Sequence, residues 1–259
     1  MSTLNKLIDQ ISIDGKYCGP PDTANGGYLA GKLAGYFDSS GSGSTINVSL
    51  RAATPLDKAL NIIEAASDSG KTLQLMDGEK LLAIASEADM HIAKPRLPTV
   101  KNIAAARMQC AGYVNHPFPH CFVCGPKRPL GDGLAIYPGP LVNETLGAMS
   151  TCVASEWVLT ADLKDSQGCV KQEFIWAALD CIGSFAILED PDNQGLVPMV
   201  LGKLSASIKA ALTRDKAYVM AWPLKREGRK AFANSAVFNQ QQECIAVGQA
   251  LWVSLNKTI

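Results

Sequence analysis

Two stretches of this chain, "RAATPLDKA" (Arg51 to Ala59) and "KAALTRDKA" (Lys209 to Ala217), place Ala, Ala, Asp, Lys and Ala at matching positions. Each follows an apolar helix candidate. Each precedes alternating segments that end in a strand of small residues, "LLAIASEADM" (Leu81 to Met90) and "CIAVGQALWV" (Cys244 to Val253). The same order of elements twice over points to an internal duplication. A chain of 259 residues can bury a core in each of two such units.

Each half reads as one helix followed by about four antiparallel strands, an α+β pattern. In the first half "TINVSL", "ALNIIEAAS" and "KTLQLM" are strands, and Asp77-Gly78 is the hairpin turn before Leu81 to Met90. In the second, Gly202 to Leu212, Ala217 to Leu224, Lys230 to Phe238 and Glu243 to Leu255 repeat the meander, turning at "KREGRK" and "NQQQ". A further strand precedes each helix, near Lys6 to Ile13 and Leu146 to Leu159. The first helix lies within Thr23 to Phe37 and stops at "DSSGSGS"; the second, Glu173 to Leu188, stops before Pro191. Between the halves "AKPRLPTVKN" reads as an extended linker, and "HPFPHCFVCGPKRPLGDGL" opens the second half.

The helix start at Asn25-Gly26-Gly27 carries the first chemical signal. The first amides of a helix lack intrahelical acceptors and carry the positive end of the dipole. Asn25 is a good N-cap, and glycines let a ligand's oxygen approach the bare backbone. The other reading is close packing of the helix against a sheet. The second signal is Asp180, midway along "EFIWAALDCIGSFA" (Glu173 to Ala186), a helix apolar on nearly every side. An aspartate there needs a partner, and burial raises its pKa. It is either functional or half of a structural ion pair.

Composition removes several alternatives. Apolar residues make up 47% and charged residues 19%, with 24 basic and 24 acidic side chains balanced. That balance leaves no electrostatic footprint for nucleic acid or a membrane surface, and no apolar run is long enough for a span. Eight cysteines without a secretory signal are expected to be reduced thiols in a cytoplasmic protein. His116, His120, Cys121 and Cys124 offer four ligand types in one segment. The cluster has no distant second pair, so no metal is expected. Cys152, Cys181 and Cys244 read as small core residues. Trp157, Trp176, Trp222 and Trp252 pack a core or line a tunnel. Lys127 and Arg128 are candidates for meeting phosphate groups, against the default of exposed loop charges.

"ANGGYLAGKLA", "CFVCGPKRPLGDGL" and "WAALDCIG" together resemble the hotdog-fold thioesterases in their tandem arrangement, with two hotdogs in one chain. The resemblance implies an α+β double hotdog: two long helices, each wrapped by a curved antiparallel sheet, with residues 1–110 and 116–259 paired as a pseudo-dimer. Members carry His-Gly-Gly at the helix start and an acid further along. In the first half Asn25, Gly26 and Gly27 take the His-Gly-Gly positions and Ala34 the acid position. In the second, Lys171, Gln172 and Glu173 take the former and Asp180 the latter. Each half has lost what the other kept, so the resemblance implies one composite site, Gly26 with Asp180.

The implied activity is hydrolysis of an acyl-CoA or acyl-carrier thioester. The Gly26 amide would polarise the carbonyl, and Asp180 would act as general base or nucleophile. Ser205, Ser207 and Gln249 are candidates to assist the acid. Asn25 in place of histidine removes any imidazole role, and none of the three histidines falls at the site. Two alternatives stand beside it: an acyl-thioester hydratase or dehydratase, and a non-catalytic acyl-binding hotdog. No cofactor is implied, and self-association of double-hotdog units is expected.

Overall fold

Apolar–polar alternation builds the sheet: in Thr45–Leu50 (β2) Ile46 and Val48 are buried while their neighbours are less so. The computed structural model describes residues 5–37, 43–65, 70–93, 95–129, 131–141, 152–189 and 198–255. In chain order the remaining elements of the first half are β1 (Lys6–Ile11), α1 (Gly26–Ala34), β3 (Leu60–Ala65), β4 (Thr72–Asp77) and β5 (Lys80–Ala88). The helix α2 (Val100–Arg107) follows. Then come β6 (Gly139–Pro140), β7 (Val153–Val158), α3 (Gln172–Leu188), β8 (Met199–Ile208), β9 (Lys216–Glu227), β10 (Lys230–Asn239) and β11 (Cys244–Ser254).

All pairings are antiparallel, in one sheet of order β1-β3-β4-β5-β2-β8-β11-β10-β9-β7-β6. Read outward from the centre, β2-β5-β4-β3-β1 and β8-β11-β10-β9-β7 have the same topology. The two look-alike stretches occupy the same place in each half, the connection after β2 and the connection after β8. The seam is β2 against β8, with Thr45 opposite Ser207, Asn47 opposite Ser205 and Ser49 opposite Lys203. The β4–β5 hairpin turns at Gly78-Glu79, one residue later than the expected Asp77-Gly78, because Asp77 still pairs with Lys80; Gly78 has φ +58°. That is the left-handed region glycine enters without a Cβ penalty. The expected strand from Leu146 is described from Val153 onward, and its earlier residues lie outside the described range.

The sheet curls around the two helices. The apolar α3 packs against β7 to β11, and α1 against β2, β5 and β8, so one core joins both halves. At nine residues α1 is shorter than the expected span, ending where Gly35 caps it. The linker also differs from expectation. Thr99, just after its second proline, caps α2 by accepting the Asn102 amide hydrogen bond, so the segment ends in a helix. Ile103 of α2 packs on the outer face of the second half, in a cluster with Tyr218, Met220, Trp222 and Phe238. No described helix is long and apolar enough to cross a membrane.

Candidate active site

The sharpest feature of the interior is the crossing of α1 over α3. Gly27, Gly31 and Gly35 form a stripe on α1, and each faces α3. A Cβ on Gly27 would strike the Asp180 Cβ and lie 2.7 Å from the Trp176 carbonyl oxygen; one on Gly31 would strike the Glu173 Cα. Such stripes let two backbones approach more closely than the usual 8–10 Å between axes. For Gly27, packing is therefore what the structure has, though against a helix rather than a sheet. Gly26 is different: a Cβ there would meet the Leu201 and Leu50 side chains at 2.9–3.0 Å. The G-x-x-x-G-x-x-x-G spacing is the signal in the sequence for this helix contact.

The close crossing delivers Asp180 to the start of α1. The Gly27 N–H donates to Asp180 Oδ2 at 2.7 Å. Asp180 is 2% exposed, and its Oδ1 has no hydrogen-bond partner among the described residues. Burial pushes its pKa up to about 8; the Gly27 amide opposes the shift and the nearby Cys121 sulfur reinforces it. The Gly26 N–H, one residue earlier, has no acceptor among the described residues. Gly26 and Asp180 both line a cleft of about 480 Å³, walled by Leu29, Leu50, Met199, Leu201, Trp252 and Leu255. Among the tryptophans Trp252 lines this cleft; Trp157 is in the core and Trp222 on the outer face.

Asn25 does not reach into the cleft chemistry as an acid or base. Its Oδ1 accepts from the Tyr28 amide at 2.9 Å, the N-cap expected of it. Its Nδ2 points at sulfur, 3.4 Å from Cys181 and 3.8 Å from Cys121. Asn25→Ala removes the cap, which typically costs about 1 kcal/mol. Thermal denaturation should show a Tm lower by roughly 2–4 °C.

Ser205, Ser207 and Gln249 are not brought to Asp180, which corrects that expectation. Strand parity decides it. Gly248 and Leu204 face α3, so their neighbours Gln249 and Ser205 face the outside of the sheet. There Ser205 Oγ donates to Asn47 Oδ1 at 3.1 Å, Ser207 Oγ to the Gly43 carbonyl, and Gln249 Nε2 to Asn234 Oδ1. Arg128 does not face a ligand either. Its guanidinium pairs with Asp132 at 3.0 Å and donates to the carbonyls of Lys16 and His120. Lys127 is exposed. The cation on the rim of the cleft is Arg51, also exposed.

The opposite end of the helix pair holds the positions that lost the motif. Gln172 Nε2 donates to the Gly31 carbonyl at 3.1 Å, and Glu173 lies 3.7 Å from the Lys32 ammonium. Side chains of α3 fill that corner against α1, where Asp180 leaves the first one open.

Two helix-and-sheet halves of the same topology joined across the β2–β8 seam form the double hotdog architecture. No family model and no curated protein matches this sequence. The fold is matched by solved structures over nearly its whole length. The tesB protein of Mycobacterium avium subspecies paratuberculosis is 10% identical, covering 95% of this chain and 92% of its own, at a TM-score of 0.63. The acyl-CoA thioesterase II TesB2 of Mycobacterium marinum is 11% identical, covering 91% of each chain, at 0.60. A hot dog fold protein of unknown function from Alicyclobacillus acidocaldarius is 11% identical, covering 96% and 93%, at 0.59. At these identities the likeness establishes the fold, as the residue motifs implied.

Proposed function

We propose that this chain hydrolyses acyl thioesters at a single site formed by the start of α1 and the middle of α3. The observation that carries the reading is the placement of Asp180. Asp180 lines an apolar cleft; one of its oxygens is fixed by the Gly27 amide, and the other has no hydrogen-bond partner among the described residues. A buried carboxylate with an unmatched oxygen is costly unless that oxygen is used.

The acyl chain would lie along Leu29, Leu50, Leu201 and Trp252, with the thioester carbonyl oxygen at the Gly26 amide. Attack at the carbonyl carbon places negative charge on that oxygen. The Gly26 N–H and the helix dipole stabilise it, one such donor being worth roughly 10²–10³ in rate. Asp180 either takes the proton of the attacking water or attacks directly to form an acyl anhydride that water then opens. Collapse of the tetrahedral intermediate expels the thiolate. Arg51 on the rim suits a carrier bearing phosphates, as coenzyme A does. No histidine lines the cleft among the described residues, which favours hydrolysis over a hydratase reaction needing an Asp–His pair.

The test is a free-thiol assay against acyl-CoA esters of increasing chain length and against acyl-carrier thioesters. Stoichiometric thiol and carboxylic acid are expected. An altered acyl chain without thiol release would reassign the protein as a hydratase. Saturable binding with no turnover of any ester would make it an acyl-binding protein.

A further inference from the structure

We propose that Cys121, Cys124 and Cys181 bind a zinc ion as thiolates, joining the Cys121–Cys124 turn to α3. The sequence shows no distant second pair for the Cys-x-x-Cys motif, but in the structure α3 brings one further sulfur, that of Cys181, to it. All three Sγ atoms lie within 4.8 Å of one another, and all three residues are buried. The Cys121–Cys181 separation is 3.7 Å. Tetrahedral zinc with Zn–S bonds of about 2.3 Å requires S···S edges of about 3.8 Å, so this pair already has the spacing.

Backbone geometry fixes the turn that presents Cys121 and Cys124. The turn closes by a Gly125 N–H bond of 2.9 Å to the Cys121 carbonyl. Gly125 admits no side chain, since a Cβ would stand 2.5 Å from the Cys121 nitrogen and 2.7 Å from the Pro119 carbonyl oxygen.

Two further side chains are aimed at these sulfurs. His116 Nδ1 accepts the Phe118 amide at 3.0 Å, which leaves the ring proton on Nε2, 3.3 Å from Cys124 Sγ. His116 is thus a donor to a ligand rather than a ligand, and Asn25 Nδ2 serves Cys181 and Cys121 in the same way. Outer donors of this kind fix metal ligands and spread their charge, whereas cysteines packed as small apolar residues need none. His120 takes no part; its carbonyl serves Arg128 and Cys18. The fourth position opens on a small cavity walled by Phe185, Met199 and Trp252, with room for water or another exogenous ligand. The ion would pin the loop to α3 one residue beyond Asp180, and so act as a positioning element for the carboxylate.

The full chain is expressed in zinc-supplemented medium, purified without oxygen, and its metal content measured by plasma mass spectrometry. One zinc per chain is expected, falling close to zero in Cys121→Ser and Cys181→Ser and unchanged in Cys169→Ser, a cysteine outside the cluster. Because a ligand variant can fail to fold, the wild-type chain is also stripped and reloaded with cobalt. Tetrahedral d–d bands with thiolate-to-cobalt charge transfer are expected, as is protection of three cysteines from a thiol reagent until chelator is added. A folded chain that takes up neither metal overturns the proposal. So does a Cys121–Cys181 disulfide in protein purified without oxygen, or zinc retained in full by folded Cys121→Ser. None of these readouts depends on turnover.

Discussion

Asp180→Asn is expected to lower kcat for thioester hydrolysis by roughly 10²–10⁴, the range general acid–base catalysis supplies. The fold should survive the change. Asparagine has nearly the same shape, and its carbonyl oxygen can keep accepting the Gly27 amide, now bonded to Asp180 Oδ2 at 2.7 Å. What disappears is the ability to take a proton or to attack as a carboxylate. The loss should therefore appear in kcat with little change in KM, alongside an unaltered circular dichroism spectrum. Full turnover by the variant would remove Asp180 from the mechanism.

The largest loss of stability is expected from Gly27→Ala. The added methyl would meet backbone atoms of α3, the Trp176 carbonyl oxygen at 2.7 Å and the Ala177 Cα at 2.8 Å. Backbone in the middle of a buried helix cannot swing aside as a side chain can. Overpacking costs about 1–3 kcal/mol and occasionally more, and here the upper end is expected because α1 must lift off α3. Urea denaturation should show the midpoint falling, and activity should fall with it as the Gly27–Asp180 bond breaks. Gly26→Ala is the matched comparison. Its methyl meets side chains alone, Leu201 Cδ2 and Cβ and Leu50 Cδ1 at 2.9–3.0 Å, and no backbone atom of α3. Stability should fall less than in Gly27→Ala while the cleft narrows. Equal losses from the two variants would refute the division of labour between these glycines.

The contrast also shows what local pattern can and cannot say. Strand alternation and turn residues carry the meander, and the meeting of Asp180 with the Asn-Gly-Gly segment is implied by the resemblance to hotdog thioesterases. Ser205 and Gln249 went to the wrong face because a strand reverses every side chain when its parity is misjudged by one residue. The helix α2 was hidden behind prolines that end before Thr99 caps it. Cys181 read as core filling because the meeting of α3 with a loop some 60 residues earlier is a tertiary fact. The Gly27-Gly31-Gly35 stripe, by contrast, is plain in the sequence once helix-to-helix contact is considered alongside ligand access.

The β2–β8 seam has a further consequence. In an assembly of two identical chains, every substitution is suffered twice, once at each end of the twofold. Sewing the halves into one polypeptide frees the ends from one another. The Glu173–Lys32 end can change for adhesion alone while the Asp180 end keeps its carboxyl beside the cleft. Damage to one is no longer copied into the other, and neither need compromise for both duties.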